Sequence, residues 1–154
     1  MVFVDEVEST ASAPRAAIGK SLRLFDAYEL DGEPLDFRLT VAALSLRDRR
    51  APRYTPTKPG RRWMALRVRA VSESSDTIDV ASSSFELANA DGERFAGEGY
   101  PFQPTFGHDV SRLRPEEKLT GYVSFQVPRK FKATEIRFSS PGSQTEPMVW
   151  ELTR

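Results

Sequence analysis

Between Leu119 and Val127 apolar and polar side chains alternate without a break. Leu119, Gly121, Val123, Phe125 and Val127 hold one parity; Thr120, Tyr122, Ser124 and Gln126 hold the other. In an extended chain, successive side chains point to opposite faces, so this segment has one face for an interior and one for water. The same period returns along the chain. Leu22 and Leu24 flank Arg23. Phe37, Leu39 and Val41 oppose Asp36, Arg38 and Thr40. Met64, Leu66, Val68 and Ala70 oppose Arg67 and Arg69. Phe85 with Leu87, Ile136 with Phe138, and Met148, Trp150 and Leu152 complete the set. In one place the parity changes, because Leu44 and Leu46 continue on even positions. That predicts one extra residue near Ala42-Ala43, as in a β-bulge.

Turn chemistry separates these rows. Asp31-Gly32 and Asp91-Gly92 are hairpin signals, and Pro59-Gly60, Pro115 and Pro141-Gly142 punctuate elsewhere. No long window carries a helical stripe. The pattern predicts an all-β chain folded as an antiparallel β-sandwich of seven to eight strands, with a small barrel as the alternative. The 154 residues are one domain's worth of chain. Residues 1–17 read as an N-terminal arm and linker, because Val2-Phe3-Val4 is a short β-prone run followed by the small, polar stretch Ser9-Thr10-Ala11-Ser12-Ala13-Pro14. Residues 18–154 read as the sandwich.

Three segments in order resemble a known family. The first is Lys58-Pro59-Gly60-Arg61-Arg62-Trp63-Met64-Ala65-Leu66-Arg67-Val68-Arg69-Ala70-Val71. The second runs from Asp79-Val80-Ala81-Ser82 through Phe85-Glu86-Leu87 to Asp91-Gly92. The third is Leu113-Arg114-Pro115-Glu116-Glu117 leading into Gly121-Tyr122-Val123-Ser124-Phe125-Gln126-Val127-Pro128. Over about residues 18–153 the chain is similar to a bacterial immunoglobulin-like family of unknown function. That family is common in lipoproteins and is itself similar to the immunoprotective extracellular protein fold. The resemblance implies an immunoglobulin-like sandwich with binding or structural roles. It implies no catalytic residues. The lipoprotein signal and its cysteine, usual in that family, are not found in this sequence.

Chemistry-bearing residues are sparse. With no cysteine there are no disulfides, thiolate metal sites or cysteine nucleophile, and one histidine builds no histidine metal cluster. His108 adjoins Asp109 but has no nucleophile-elbow sequence to serve. Glu116-Glu117 are neighbours in a turn, whereas glycosidase carboxyls face each other across a cleft. Asn89, Asp91 and Gly92 fall short of a calcium-loop ligand pattern. No catalytic, cofactor-binding or metal-binding residue is assigned, and no cofactor is expected.

Charge is more informative. The 22 basic and 22 acidic side chains cancel. Yet residues 47–62 carry Arg47, Arg49, Arg50, Arg53, Lys58, Arg61 and Arg62 against Asp48 alone, while residues 1–37 hold eight acids against Arg15, Lys20 and Arg23. The basic stretch is either a solvated loop or a contact for phosphates, anionic lipid or an acidic protein surface, and an acidic protein partner is the reading taken. Stacking aromatics are scarce around it, with only Tyr54 and Trp63 close by, which argues against nucleic acid. A second candidate surface is Tyr100, Phe102 and Phe106, three aromatics in a proline-bearing loop. They make an interface patch if exposed and a plug for one end of the sandwich if turned inward. A third is Val2, Phe3 and Val4, which can add a strand to the chain's own sheet edge or to a neighbour's.

No run of about 18 apolar residues is present to span a bilayer, and the N-terminus lacks the basic and apolar regions of a signal peptide. The expectation is a non-enzymatic structural or protein-interaction subunit, made in the cytoplasm and built into a larger assembly, or a processed extracytoplasmic form. Its partner is a protein, a second copy included. An accessory protein of a cell surface or viral particle fits that description, and the alternative is an exported envelope domain of lipoprotein type.

Overall fold

The change of parity at residues 44–46 is a β-bulge. In the computed structural model, which describes residues 15–30, 33–106, 111–139 and 147–152 (backbone only at 25–30, 33–35 and 111), Ala43 pairs with Val68 and Ser45 with Arg67. Leu44 is the extra residue between them. Ala43 is the last buried residue on odd positions, and Leu46 resumes the inward row, half-buried against the core. Leu44 was expected to point inward with Leu46. It is instead the bulged residue and stays outside the buried core.

The strands are β1 (Arg15–Ala17), β2 (Ser21–Leu30), β3 (Glu33–Asp48), β4 (Arg61–Ser72), β5 (Ile78–Val80), β6 (Phe85–Ala88), β7 (Arg94–Ala96), β8 (Ser111–Leu113), β9 (Lys118–Pro128), β10 (Glu135–Phe138) and β11 (Met148–Glu151). Among the described residues seven strands have four residues or more, as the alternation predicts; the other four have three residues, too few to show a period. A four-stranded antiparallel sheet runs β2-β3-β4-β9, a five-stranded sheet runs β1-β11-β10-β6-β7, and β5 pairs with β8. This is the β-sandwich read from the sequence. The sheet begins earlier than expected: Arg15–Ala17, assigned to the linker, pairs in parallel with β11. The signals at Asp31-Gly32 and Pro141-Gly142, the arm residues Val2, Phe3 and Val4, and His108 lie outside the described residues.

The core lies between the two larger sheets. Phe37, Leu39 and Val41 from β3, Leu66, Val68 and Ala70 from β4, and Val123, Phe125 and Val127 from β9 face Phe85, Leu87, Ile136, Phe138, Met148 and Trp150 of the other sheet. Each Val, Leu, Ile, Phe or Met among them stabilises by about 1.5–3 kcal/mol through removal from water. Phe85 is at the centre, with ring centroids 5.6 Å from Phe106 and 4.9 Å from Phe138. The indole N–H of Trp150 donates to the Lys20 carbonyl at 2.9 Å, so burial leaves no orphaned donor.

Two further features bear on the surface. The Arg15 guanidinium reaches Glu135 and Glu151, both at 2.8 Å. Those two carboxylates sit opposite each other in the β10–β11 register, where they would repel without a cation between them. The turn between β6 and β7 uses Asn89, whose Oδ1 accepts from the Asp91 and Glu93 amides, with Gly92 at φ +87°. Asn89 is thus consumed by the hairpin and is no calcium ligand.

Candidate functional site

The outer face of the four-stranded sheet is where the basic stretch ends up. Past β3, residues 49–60 fold back over β4. The Arg49 amide donates to the Trp63 carbonyl at 3.1 Å, and the Trp63 indole N–H donates to Thr57 Oγ1 at 2.9 Å. Trp63 and Ala65, on the outward parity of β4, form a second small buried cluster with Phe102. Trp63 meets the Phe102 ring edge-on at 6.2 Å.

Phe102 arrives there because residues 98–106 run along the free edge of β9. Glu98 and Ser124 exchange backbone hydrogen bonds at 2.7 and 2.9 Å; Tyr122 donates to Pro104 at 2.8 Å, and Phe106 donates to Tyr122 at 2.9 Å. The backbone comes so close that a Cβ on Gly121 would lie 2.9 Å from the Pro104 and Thr105 carbonyl oxygens. This edge, a liability if left open, is covered by the chain itself.

Of the aromatic loop, Tyr100 is 55% exposed, while Phe102 and Phe106 are 1% and 0% exposed. Phe102 and Phe106 therefore cannot form the exposed patch expected of them. Both turn inward: Phe106 enters the inter-sheet core, and Phe102 seals the outer face of the four-stranded sheet over Trp63 and Ala65. The reason is the free β9 edge, which draws the segment across both.

The arginines divide by what they touch. Arg62 is a structural clasp, bonded to the Asp48 carboxylate, the Phe131 carbonyl and, at 3.2 Å, the Arg129 carbonyl. Each of its three nitrogens donates within the chain, which corrects its assignment as a docking residue. Arg61 lies 5.2 Å from the Phe95 ring centroid and donates to the Gln126 carbonyl at 3.3 Å. Arg53 leans on Tyr54 at 5.4 Å, and that ring is 88% exposed. Arg49 stacks over two aromatics, 4.7 Å from the Phe102 centroid and 5.0 Å from Tyr122. Arg47, Arg49 and Arg50 are exposed and enter no ion pair among the described residues.

Two open clefts lie among them. The larger, about 830 Å³, is lined by Arg49, Arg50, Arg61, Arg62 and Arg129 with Trp63 and Thr57. The smaller, about 380 Å³, is lined by Arg47, Arg49, Arg67, Ser45, Ala65 and Tyr122. Asp48 is the one carboxylate in either lining, and Arg62 neutralises it. Arg67 and Arg129 were missed as site residues. The outward parity of Arg67 was legible, but its place beside Arg47 depends on the bulged β3–β4 register, and that of Arg129 on the turn after β9. Among the described residues no three His, Asp or Glu side chains gather as a metal site, and no helix is long and apolar enough to cross a membrane.

Residues 32–147 match a family described as a domain of unknown function, DUF4352. Among solved structures, the secreted protein MPT63 of Mycobacterium tuberculosis is similar, with a TM-score of 0.67 at 18% identity over 92% of this chain and 99% of that one. The YjhA protein of Bacillus subtilis has a TM-score of 0.57 at 10% identity over 90% of this chain and 99% of that one. A candidate lipoprotein of B. subtilis, YcdA, has a TM-score of 0.53 at 13% identity over 83% of this chain and 38% of that one. At these identities the likeness is one of fold. No curated protein matches the chain.

Proposed function

This chain belongs to the DUF4352 family, and from that premise we propose that it is a non-enzymatic binding domain whose arginine-lined outer face docks an acidic partner. The observation that carries this reading is the pair of adjoining clefts, in which Arg49, Arg50, Arg61 and Arg129 on one side and Arg47, Arg49 and Arg67 on the other meet a single carboxylate already neutralised by Arg62. Exposed cations kept together without counter-charges repel one another, and an acidic surface relieves that repulsion. Arg50 and Arg53 extend the surface at its rim, where charge speeds and orients encounter more than it adds affinity. Val2, Phe3 and Val4 supply a second contact by strand addition in this reading, and together they seat the domain in a larger assembly of proteins on a cell surface or a viral particle.

A hexaglutamate peptide is a direct probe. It should bind with an affinity that falls steeply as salt rises, and the double variant Arg47→Ala, Arg50→Ala should weaken it several-fold with the fold intact. Binding that ignores salt, or is unchanged in the variant, removes the proposal. Deleting residues 1–14 tests the arm: oligomer mass and incorporation into the native assembly should fall.

A second reading is favoured by the likeness to a secreted mycobacterial protein and a candidate lipoprotein. It is an exported envelope domain that binds its partner outside the membrane. Fractionation of the source cells with an antibody to the domain decides between the two compartments.

A further inference from the structure

The smaller cleft has a shape the larger one lacks. Its floor is made of two short side chains, Ser45 on β3 and Ala65 on β4, and taller residues stand around them, among them Asp48, whose carboxylate is paired with Arg62. The register explains the arrangement. Arg67 sits between Ser45 and Tyr122 on the neighbouring strands, and Ala65 sits between Arg47 and Ser124. Directly opposed positions on an antiparallel pair stand about 5 Å apart and diagonal ones about 7–8 Å. Arg47 and Arg67 are such a diagonal pair just past the bulge. Arg49, the residue after β3, has its guanidinium held over Tyr122 of β9 and over Phe102.

Three guanidinium groups thus border a depression of about 380 Å³. None of Arg47, Arg49 and Arg67 forms an ion pair with a described carboxylate. A stacked guanidinium has lost its freedom to reorient, so its N–H edge binds an oxyanion with little further ordering. A single carboxylate carries one charge and satisfies one such fork. A phosphate monoester carries about −1.5 to −2 at neutral pH and presents three acceptor oxygens, enough to meet three separate donors.

We propose that this depression, bordered by Arg47, Arg49 and Arg67 over Ser45 and Ala65, is a binding site for the terminal phosphate of an anionic ligand. It rests on the reading of the arginine face as an anion-docking surface and names the group that the face selects. Tyr122 forms a wall on which the part of the ligand bearing the phosphate can lie. The phosphate can belong to a free phosphate ester or to the phosphorylated side chain of a partner; the chemistry at the site is the same.

The test compares four probes on the whole chain by calorimetry and by the amide and side-chain NMR signals of Ser45, Ala65 and Tyr122: phenyl phosphate, a phosphoserine peptide, the same peptide with glutamate in its place, and hexaglutamate. Phenyl phosphate and the phosphoserine peptide should bind, shift those signals and lose at least about tenfold in affinity in Arg67→Ala. Binding by the peptide alone assigns the site to a phosphorylated partner, and equal binding by both assigns it to small esters as well. Arg67→Lys should recover only part of the loss, since an ammonium lacks the planar fork. Arg112→Ala, at an exposed arginine on β8, should bind as the parent does. Hexaglutamate binding without preference for phosphate, or phosphate shifts confined to Arg53 and Tyr54, overturns this proposal while leaving the acidic-partner reading in place. Loss of all four overturns both.

Discussion

The Arg49 guanidinium lies 4.7 Å from the centre of the Phe102 ring, so two residues from separate stretches of sequence, each a candidate for outside contact, contact each other. Arg49 covers the ring that covers β4, and the same stacking aims its N–H groups along the surface. A cation over a ring is worth about 0.5–1 kcal/mol when exposed and about 2 when desolvated. Arg49→Ala should therefore lower stability by about 1 kcal/mol in urea unfolding and move the Trp63 emission. Unchanged stability and emission would show that the stack does not hold the loop.

Phe125 and Trp150 are both 0% exposed, on facing sheets. Phe125→Ala and Trp150→Ala should each cost about 3–5 kcal/mol through lost burial and the cavity left behind. A loss below about 1 kcal/mol, measured by urea or thermal unfolding, would contradict the inward facing of β9 and β11.

Gly121 is required by the backbone that crosses it. A methyl group there would sit 2.9 Å from the carbonyl oxygens of Pro104 and Thr105. Gly121→Ala should cost about 1–3 kcal/mol as the 98–106 segment is pushed off the β9 edge. Faster hydrogen exchange at the Tyr122 and Ser124 amides, which donate to that segment, is the specific readout.

The pH dependence has a defined sign at the edge of the other sheet. Hydrogen bonding to Arg15 holds the Glu135 carboxyl below its ordinary value, against a smaller opposing effect of burial. A carboxyl with a lower pKa folded than unfolded stabilises at pH values above the unfolded pKa. That contribution fades as pH falls through the folded value. Glu135→Gln should therefore flatten the acid side of the stability curve, below about pH 4. The difference should be no more than about 1 kcal/mol, because the pair is partly exposed. An identical acid slope in parent and variant would show that the Arg15 bridge contributes nothing to folding.

Thr57 accepts the indole N–H of Trp63 at 2.9 Å. Thr57→Val keeps the shape and removes the acceptor. It should cost about 1–3 kcal/mol if no water replaces it, with increased protease sensitivity between residues 50 and 60. An uncut loop and an unchanged midpoint would mean that the bond is not what fastens it.

What the sequence determined by itself is what a period of two can carry: the strands of four residues or more, the inward faces of Phe37, Leu66, Phe125 and Trp150, and the need for a bulge near Ala43. Each of these follows from local alternation, because a strand that buries one face must sort its side chains by parity. The three-residue strands, the start of the sheet at Arg15 and the position of the bulge one residue beyond Ala43 depended on pairing partners far along the chain. The surface divided in the same way. Clustered charge at 47–62 was legible as composition, but parity says nothing about which outward residue will be covered. Only the folded chain could decide that Phe102 would be sealed under Arg49, that Arg62 would be spent on Asp48 and two carbonyls, and that Arg67 would stand beside Arg47. Those outcomes depend on cross-strand register and on a segment drawn to the free edge of β9, and both are long-range pairings that no local run of residues encodes.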